Sequence, residues 1–215
     1  MSTAAPRPAL PVEIAGPAGA LEGALDGDVS APAAVAVICH PHPLEQGTMH
    51  NKVVTTLARA FVRLGAVAVR FNFRGVGSSA GGYAEGIGER DDALAAIAFC
   101  RGRWPSQRLY LGGFSFGAAV ALAVASRAMP HGLITVAPPV ERLPEDFVAP
   151  TCPWVLVHGT ADDVVPAKPV LAWCATLAAP PRVVLVEGGG HFFHGRLPAV
   201  TEAVTTTFGA DFGAQ

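Results

Sequence analysis

Charge is scarce in this chain. Charged residues occupy 15% of its 215 positions and leave a net charge of −2. There is no basic stripe to track a phosphate backbone, so no nucleic-acid partner is expected. Long apolar runs are missing as well: none reaches the roughly 18 residues of a membrane-spanning helix. The opening Met1-Ser-Thr-Ala-Ala-Pro-Arg-Pro8 lacks the basic start and continuous apolar centre of a signal peptide. A cytoplasmic protein without a membrane partner is therefore expected. The few cysteines (Cys39, Cys100, Cys152 and Cys174) show no Cys-x-x-Cys spacing. That argues against a zinc or dithiol motif and for buried small side chains in a reducing compartment. Cys39 draws notice because it ends an apolar strand beside the most promising motif.

What the chain does have is apolar bulk. Hydrophobic residues make up 51% of it. A single domain over 1–215 is expected, burying roughly 70% of its unfolded surface. Two short β-like segments, Ala9–Ile14 and Ala20–Leu25, flank a Gly16-Pro-Ala-Gly19 turn and read as an antiparallel pair. A repeating pattern then sets in. Apolar strands fall at Ala33–Cys39, Ala66–Phe73, Arg108–Gly112, Gly132–Ala137, Trp154–His158 and Val183–Glu187. Helical periodicity falls between them: His50–Leu64, about Glu89–Cys100, after Ser115, about Lys168–Leu177, and from about Leu197 onward. Continuous apolar strands alternating with helices specify an α/β protein, with a mostly parallel sheet covered on both faces. Ligands in such sheets sit beyond the carboxyl ends of the strands. The ends, Met1–Pro8 and roughly Gly209–Gln215, are expected to fray.

The motif that carries chemistry is Gly113-Phe-Ser-Phe-Gly117, set between a strand and a small-residue helix. A serine on so sharp a turn is held in a strained backbone with its Oγ clear of the sheet, and the glycines make room for backbone that passes close by. A serine hydroxyl needs a base to take its proton, and the base needs a carboxylate to fix its tautomer. Asp162 follows one strand and His191 follows the next. The chain order Ser, Asp, His is the one expected of an α/β-hydrolase.

Five segments in order strengthen that likeness: Cys39-His-Pro-His-Pro-Leu44, Arg70-Phe-Asn-Phe-Arg-Gly-Val-Gly-Ser78, Gly113–Gly117, His158-Gly-x-x-Asp162 with Val165-Pro166, and Gly190-His-Phe-Phe193. The chain resembles the α/β-hydrolases over nearly its whole length, and most of all their small lidless bacterial serine esterases. The resemblance implies a mostly parallel sheet of about eight strands with helices on both faces and no lid domain. It implies Ser115 as nucleophile, His191 rather than His194 as base, and Asp162 as acid with Asp163 as fallback. It implies an oxyanion hole formed by the Phe116 N–H and a donor in His40–Pro43. Pro41 and Pro43 have no N–H, and the resemblance points within that stretch to the backbone of His42, with Leu44 second. No cofactor is implied.

Plainer roles compete for several residues. His40, His42 and His50 lack the carboxylate or cysteine companions of a metal site, so no metal is expected. His158 reads as a structural histidine with its bonds satisfied, and His194 as a pocket-rim or merely exposed residue. Gly75-Val-Gly77 imitates a dinucleotide fingerprint, but a glycine-rich loop follows it instead of a helix. Asp91 and Asp92 read as first-turn charges suited to a helix dipole. Leu44, Phe114 and Phe192 are candidates for an acyl pocket, and the phenylalanines serve equally well as core.

The expected activity is cleavage of small, short-acyl carboxylic esters through an acyl-enzyme. Only Pro138–Pro153 separates the strand ending at Ala137 from the next, too short for a helical lid, so an open site is expected. A thioesterase, peptidase or acyltransferase would use the same three residues. A non-catalytic binding protein on this fold is the alternative from another class. The sequence does not specify an oligomeric state.

Overall fold

Eight strands lie side by side in the order β1-β2-β4-β3-β5-β6-β7-β8. The computed structural model describes residues 8–213. The strands are β1 (Leu10–Gly16), β2 (Gly19–Asp26), β3 (Ala34–Cys39), β4 (Val67–Phe71), β5 (Arg108–Phe114), β6 (Gly132–Val136), β7 (Trp154–Gly159) and β8 (Arg182–Val186). β1 and β2 form the antiparallel hairpin, β2 joins β4 antiparallel, and every later pairing is parallel. The helices are α1 (Lys52–Arg63), α2 (Ile87–Arg103), α3 (Phe116–Ala128), α4 (Ala167–Cys174) and α5 (Leu197–Phe212). This is the α/β-hydrolase architecture.

The central strands are apolar throughout because both faces are covered. In β3, Val35, Val37 and Cys39 pack among α2 and α3 residues such as Ala96 and Val120. The alternate residues Ala34, Ala36 and Ile38 pack with Leu57 and Phe61 of α1 and with Phe208 of α5. The period of two along a strand thus feeds two separate cores. Between β6 and β7 the chain forms a single 3-10 turn, Val140–Arg142, and no longer helix. No helix among the described residues is long and apolar enough to cross a membrane.

Three sequence expectations need correction. The chain from Gly209 does not fray as far as Gly213: α5 continues to Phe212 because Tyr110 holds its end. The Tyr110 hydroxyl donates to Asp211 Oδ2 at 2.9 Å, its ring stacks on Phe212 at 5.3 Å, and Arg108 donates to the Asp211 carbonyl. Met1–Arg7 and the last two residues lie outside the described residues, and so does most of the expectation about them. Second, Asp91 and Asp92 are not first-turn charges, because α2 starts at Ile87, and Asp92 is no dipole partner. It is fully buried and ion-paired to Arg74. Third, β4 stops at Phe71, two residues early: the Asn72 carbonyl accepts from the Ser79 hydroxyl, which itself takes the Glu22 N–H, and the Phe73 N–H donates to the His40 ring.

Candidate active site

The serine turn is strained and closely packed. Ser115 has φ 53° and ψ −124°, in the left-handed region that β-carbons disfavour. Its N–H donates to the Val136 carbonyl at 2.8 Å, while its own carbonyl caps the Ala118 N–H at 2.8 Å. A Cβ at Gly117 would sit 2.5 Å from the Cys39 carbonyl oxygen and closer still to that of His40. A Cβ at Gly113 would lie 2.7 Å from the Ala118 nitrogen. Both glycines are therefore required by the approach of α3 to the ends of β3 and β5.

Three side chains from three strand ends meet here. His191 Nε2 lies 3.0 Å from Ser115 Oγ, and His191 Nδ1 lies 2.8 Å from Asp162 Oδ2. An ionised carboxylate only accepts, so Nδ1 carries the hydrogen and Nε2 accepts from the serine. Asp162 Oδ1 accepts the N–H groups of Val164 at 3.0 Å and Val165 at 2.8 Å. Burial alone would raise the Asp162 carboxyl. The His191 hydrogen bond and these two N–H donors outweigh it and hold it below its ordinary value. The His191 ring packs on Phe114 at 5.0 Å and on the edge of Phe192 at 5.2 Å.

The loops that carry Asp162 and His191 touch each other directly. A Cβ at Gly159 would overlap the Gly189 carbonyl. Ala161 N–H donates to Gly189 O at 2.9 Å and Gly188 N–H to Thr160 Oγ1 at 2.9 Å. Asp163 and His194, the alternates, are both exposed and outside the hydrogen-bonded chain of Ser115, His191 and Asp162.

Beyond β3 the loop closes tightly on itself and on β4. His40 is fully buried; its Nδ1–H donates to the Pro41 carbonyl at 2.6 Å, and its Nε2 accepts the Phe73 N–H at 3.0 Å. Burial pushes this imidazole down to about 4, so it is neutral. The His42 carbonyl accepts from Glu45 and Gly47, its Nδ1 accepts the Leu44 N–H at 3.2 Å, and its Nε2 meets the Tyr83 hydroxyl at 3.2 Å. The Leu44 N–H is thus engaged locally, whereas Phe116, as first residue of α3, has an N–H without a helical acceptor.

An open cleft of about 610 Å³ lies over Ser115 and His191, lined also by His42, Phe116, Arg142 and Phe192. Of the expected acyl-pocket residues, only Phe192 lines it. Leu44 points outward and is two-thirds exposed, and Phe114 is wholly buried behind His191. His158 also departs from expectation. Its Nε2 bonds the Val165 carbonyl at 2.8 Å, yet its buried Nδ1 has no partner. Cys39 is fully buried, and burial together with the Asp92 charge pushes its thiol far above the usual range, so it is no nucleophile.

The supporting ion pairs were visible in sequence only as parts of a motif. Arg74 donates its backbone N–H and Nε to Asp92 Oδ2, both at 3.0 Å, and its Nη2 to Oδ1 at 2.7 Å. Glu89, also fully buried, accepts the Ala84 and Gly86 N–H groups at 2.8 Å. Together they fasten the glycine-rich loop to α2 beneath Phe116. The clue available was an arginine directly after a strand, with acids at the next helix start.

Residues 31–151 match the serine aminopeptidase S33 family, and the chain belongs to that family of α/β-hydrolases. XC6422 of Xanthomonas campestris, an α/β serine hydrolase without a lid, is 38% identical and covers 100% of both chains with a TM-score of 0.90. An α/β serine hydrolase homologue of Coxiella burnetii is 40% identical over 95% of this chain and 99% of its own, with a TM-score of 0.85. The uncharacterized protein RP471 of Rickettsia prowazekii is 32% identical over 88% of this chain and 84% of its own.

Proposed function

We propose that the protein is a cytoplasmic serine carboxylic-ester hydrolase for small, short-acyl substrates. One observation carries this reading: the continuous hydrogen-bonded chain from Ser115 through His191 to Asp162, opening into an unroofed cleft. Ser115 Oγ attacks the ester carbonyl carbon while His191 Nε2 takes its proton. Asp162 stabilises the resulting imidazolium. The carbonyl oxygen becomes an oxyanion, received by the Phe116 and His42 N–H groups with the α3 N-terminus behind them. Collapse breaks the bond to the leaving alkoxide, which takes the proton from His191. Water, deprotonated by the same imidazole, then attacks the acyl-enzyme, and the C–Oγ bond breaks with return of the proton to Ser115.

The absence of a lid between β6 and β7 supports small, soluble esters. The expected outcome is turnover of p-nitrophenyl acetate and butyrate well above the dodecanoyl ester. A fluorophosphonate probe should label the native protein and not Ser115→Ala. Labelling that persists in Ser115→Ala defeats Ser115 as the nucleophile, and no labelling of either protein favours a binding protein on the same fold. The family's name favours one second reading, cleavage of N-terminal peptide bonds. Aminoacyl p-nitroanilides turned over faster than the esters would select it.

A further inference from the structure

Two arginines, Arg142 in the wall of the cleft and Arg90 in a small pocket beside it, stand without partners. Elsewhere near the site guanidinium groups are used: Arg70 pairs with Asp26, and Arg74 with Asp92. Among the described residues, no side-chain hydrogen bond or ion pair engages Arg90 of α2 or Arg142 of the 3-10 turn. Both line one small pocket of about 110 Å³, floored by Phe116, Ala119 and Val120. Arg142 and Phe116 also line the large cleft with Ser115 and His191, so pocket and cleft share a wall. The Arg142 charge is felt at the oxyanion loop, where it adds to burial in depressing the His42 imidazole. The nearby acids are Glu85 in the pocket and Glu45 and Glu141 in the cleft. Within the pocket two cations face one anion.

We propose that this pocket is an anion subsite for a carboxylate on the acyl part of the substrate, so that monoesters of dicarboxylic acids are preferred. The proposal rests on the ester-hydrolase reading above. The leaving alcohol must lie beside His191, which protonates it. The small pocket contains neither His191 nor Phe192 and is reached across Phe116, whose N–H would hold the oxyanion. The acyl arm is therefore the part that can extend into it. The Phe116 ring and the Ala119 and Val120 side chains suit the methylenes, and a planar guanidinium suits a carboxylate. Hydrolysis follows the same steps and releases the diacid and the alcohol.

The test compares monomethyl esters of succinic to suberic acid with methyl esters of matched-length monocarboxylic acids, followed by pH-stat at low ionic strength. At the best chain length, kcat/KM should favour the acidic ester by about tenfold, the scale of a charge-assisted hydrogen bond. Arg142→Gln and Arg90→Gln should each collapse that ratio, Arg142→Lys should restore part of it, and added salt should shrink it. A ratio at or below one at every length overturns the proposal. So does a ratio that survives in both glutamine variants, or a fall of both substrates in equal measure. Neutral esters turned over without an acidic preference sink the subsite alone. No turnover of either kind sinks the ester reading and the subsite with it.

Discussion

Acid should loosen this protein through His40. Its folded-state value is depressed from 6.5 to about 4 by burial, and both ring nitrogens are committed to the backbone. The unfolded chain therefore binds a proton between those values that the folded chain refuses. Stability must rise with pH through this window and fall as pH drops from about 6.5 toward 4. From the two values, His40 alone removes about 2 kcal/mol by pH 5 and about 3 kcal/mol below pH 4. Burial depresses His158 too, which adds loss of the same sign. Urea unfolding at pH 7.5 and pH 5 measures the total, and His40→Asn isolates the share of one residue. Asparagine does not titrate, so the variant should be weaker at pH 7.5 yet lose about 2 kcal/mol less on acidification. A native-like pH slope in His40→Asn would refute the reasoning, because it would mean the ring is free to charge in place.

Asp162→Asn keeps a side chain that can accept the Val164 and Val165 N–H groups but frees the His191 tautomer. It should lower kcat by about 10³–10⁴-fold with KM little changed, read with p-nitrophenyl butyrate. Gly117→Ala places a methyl against the Cys39 and His40 carbonyls. It should cost about 1–3 kcal/mol in urea unfolding and lower kcat as well, because α3 and the oxyanion loop must part. A variant of unchanged stability would contradict the packing described. Arg74→Gln leaves the fully buried Asp92 unpaired and should cost about 3–5 kcal/mol. The double variant Arg74→Gln/Asp92→Asn should recover much of that loss, and equal losses in single and double variants would show the pair is not the cause.

The layout of the sheet was legible because burial on both faces leaves strands with no polar alternation, separated by stretches of helical period. That Ser115, Asp162 and His191 come together was legible for a related reason: each lies in the segment that follows a strand, where a parallel sheet gathers its loops. Contacts made by residues far apart in sequence were not. Nothing local to Gly209–Phe212 announces that Tyr110, a hundred positions earlier, ties α5 down. Asp92 looks like any helix-start acid until the chain folds and Arg74 comes to lie against it. Leu44 sits in a 3-10 turn, where the sequence carries no period to say which way it faces, and Phe114 closes β5 on the buried face that Tyr110 shares.

The same geometry explains how Asp162 and His191 are held together without a lid. Asp162 and His191 sit on different loops, 29 positions apart, and an open cleft offers no lid to press them together. Their alignment comes instead from below. Gly159 and Gly189 let the two loop backbones touch, and the Ala161 and Gly188 N–H bonds stitch them. His158, one residue before the contact, holds the Val165 carbonyl and so the turn whose N–H groups grip Asp162. Two side chains held this way need no substrate binding energy to be brought together.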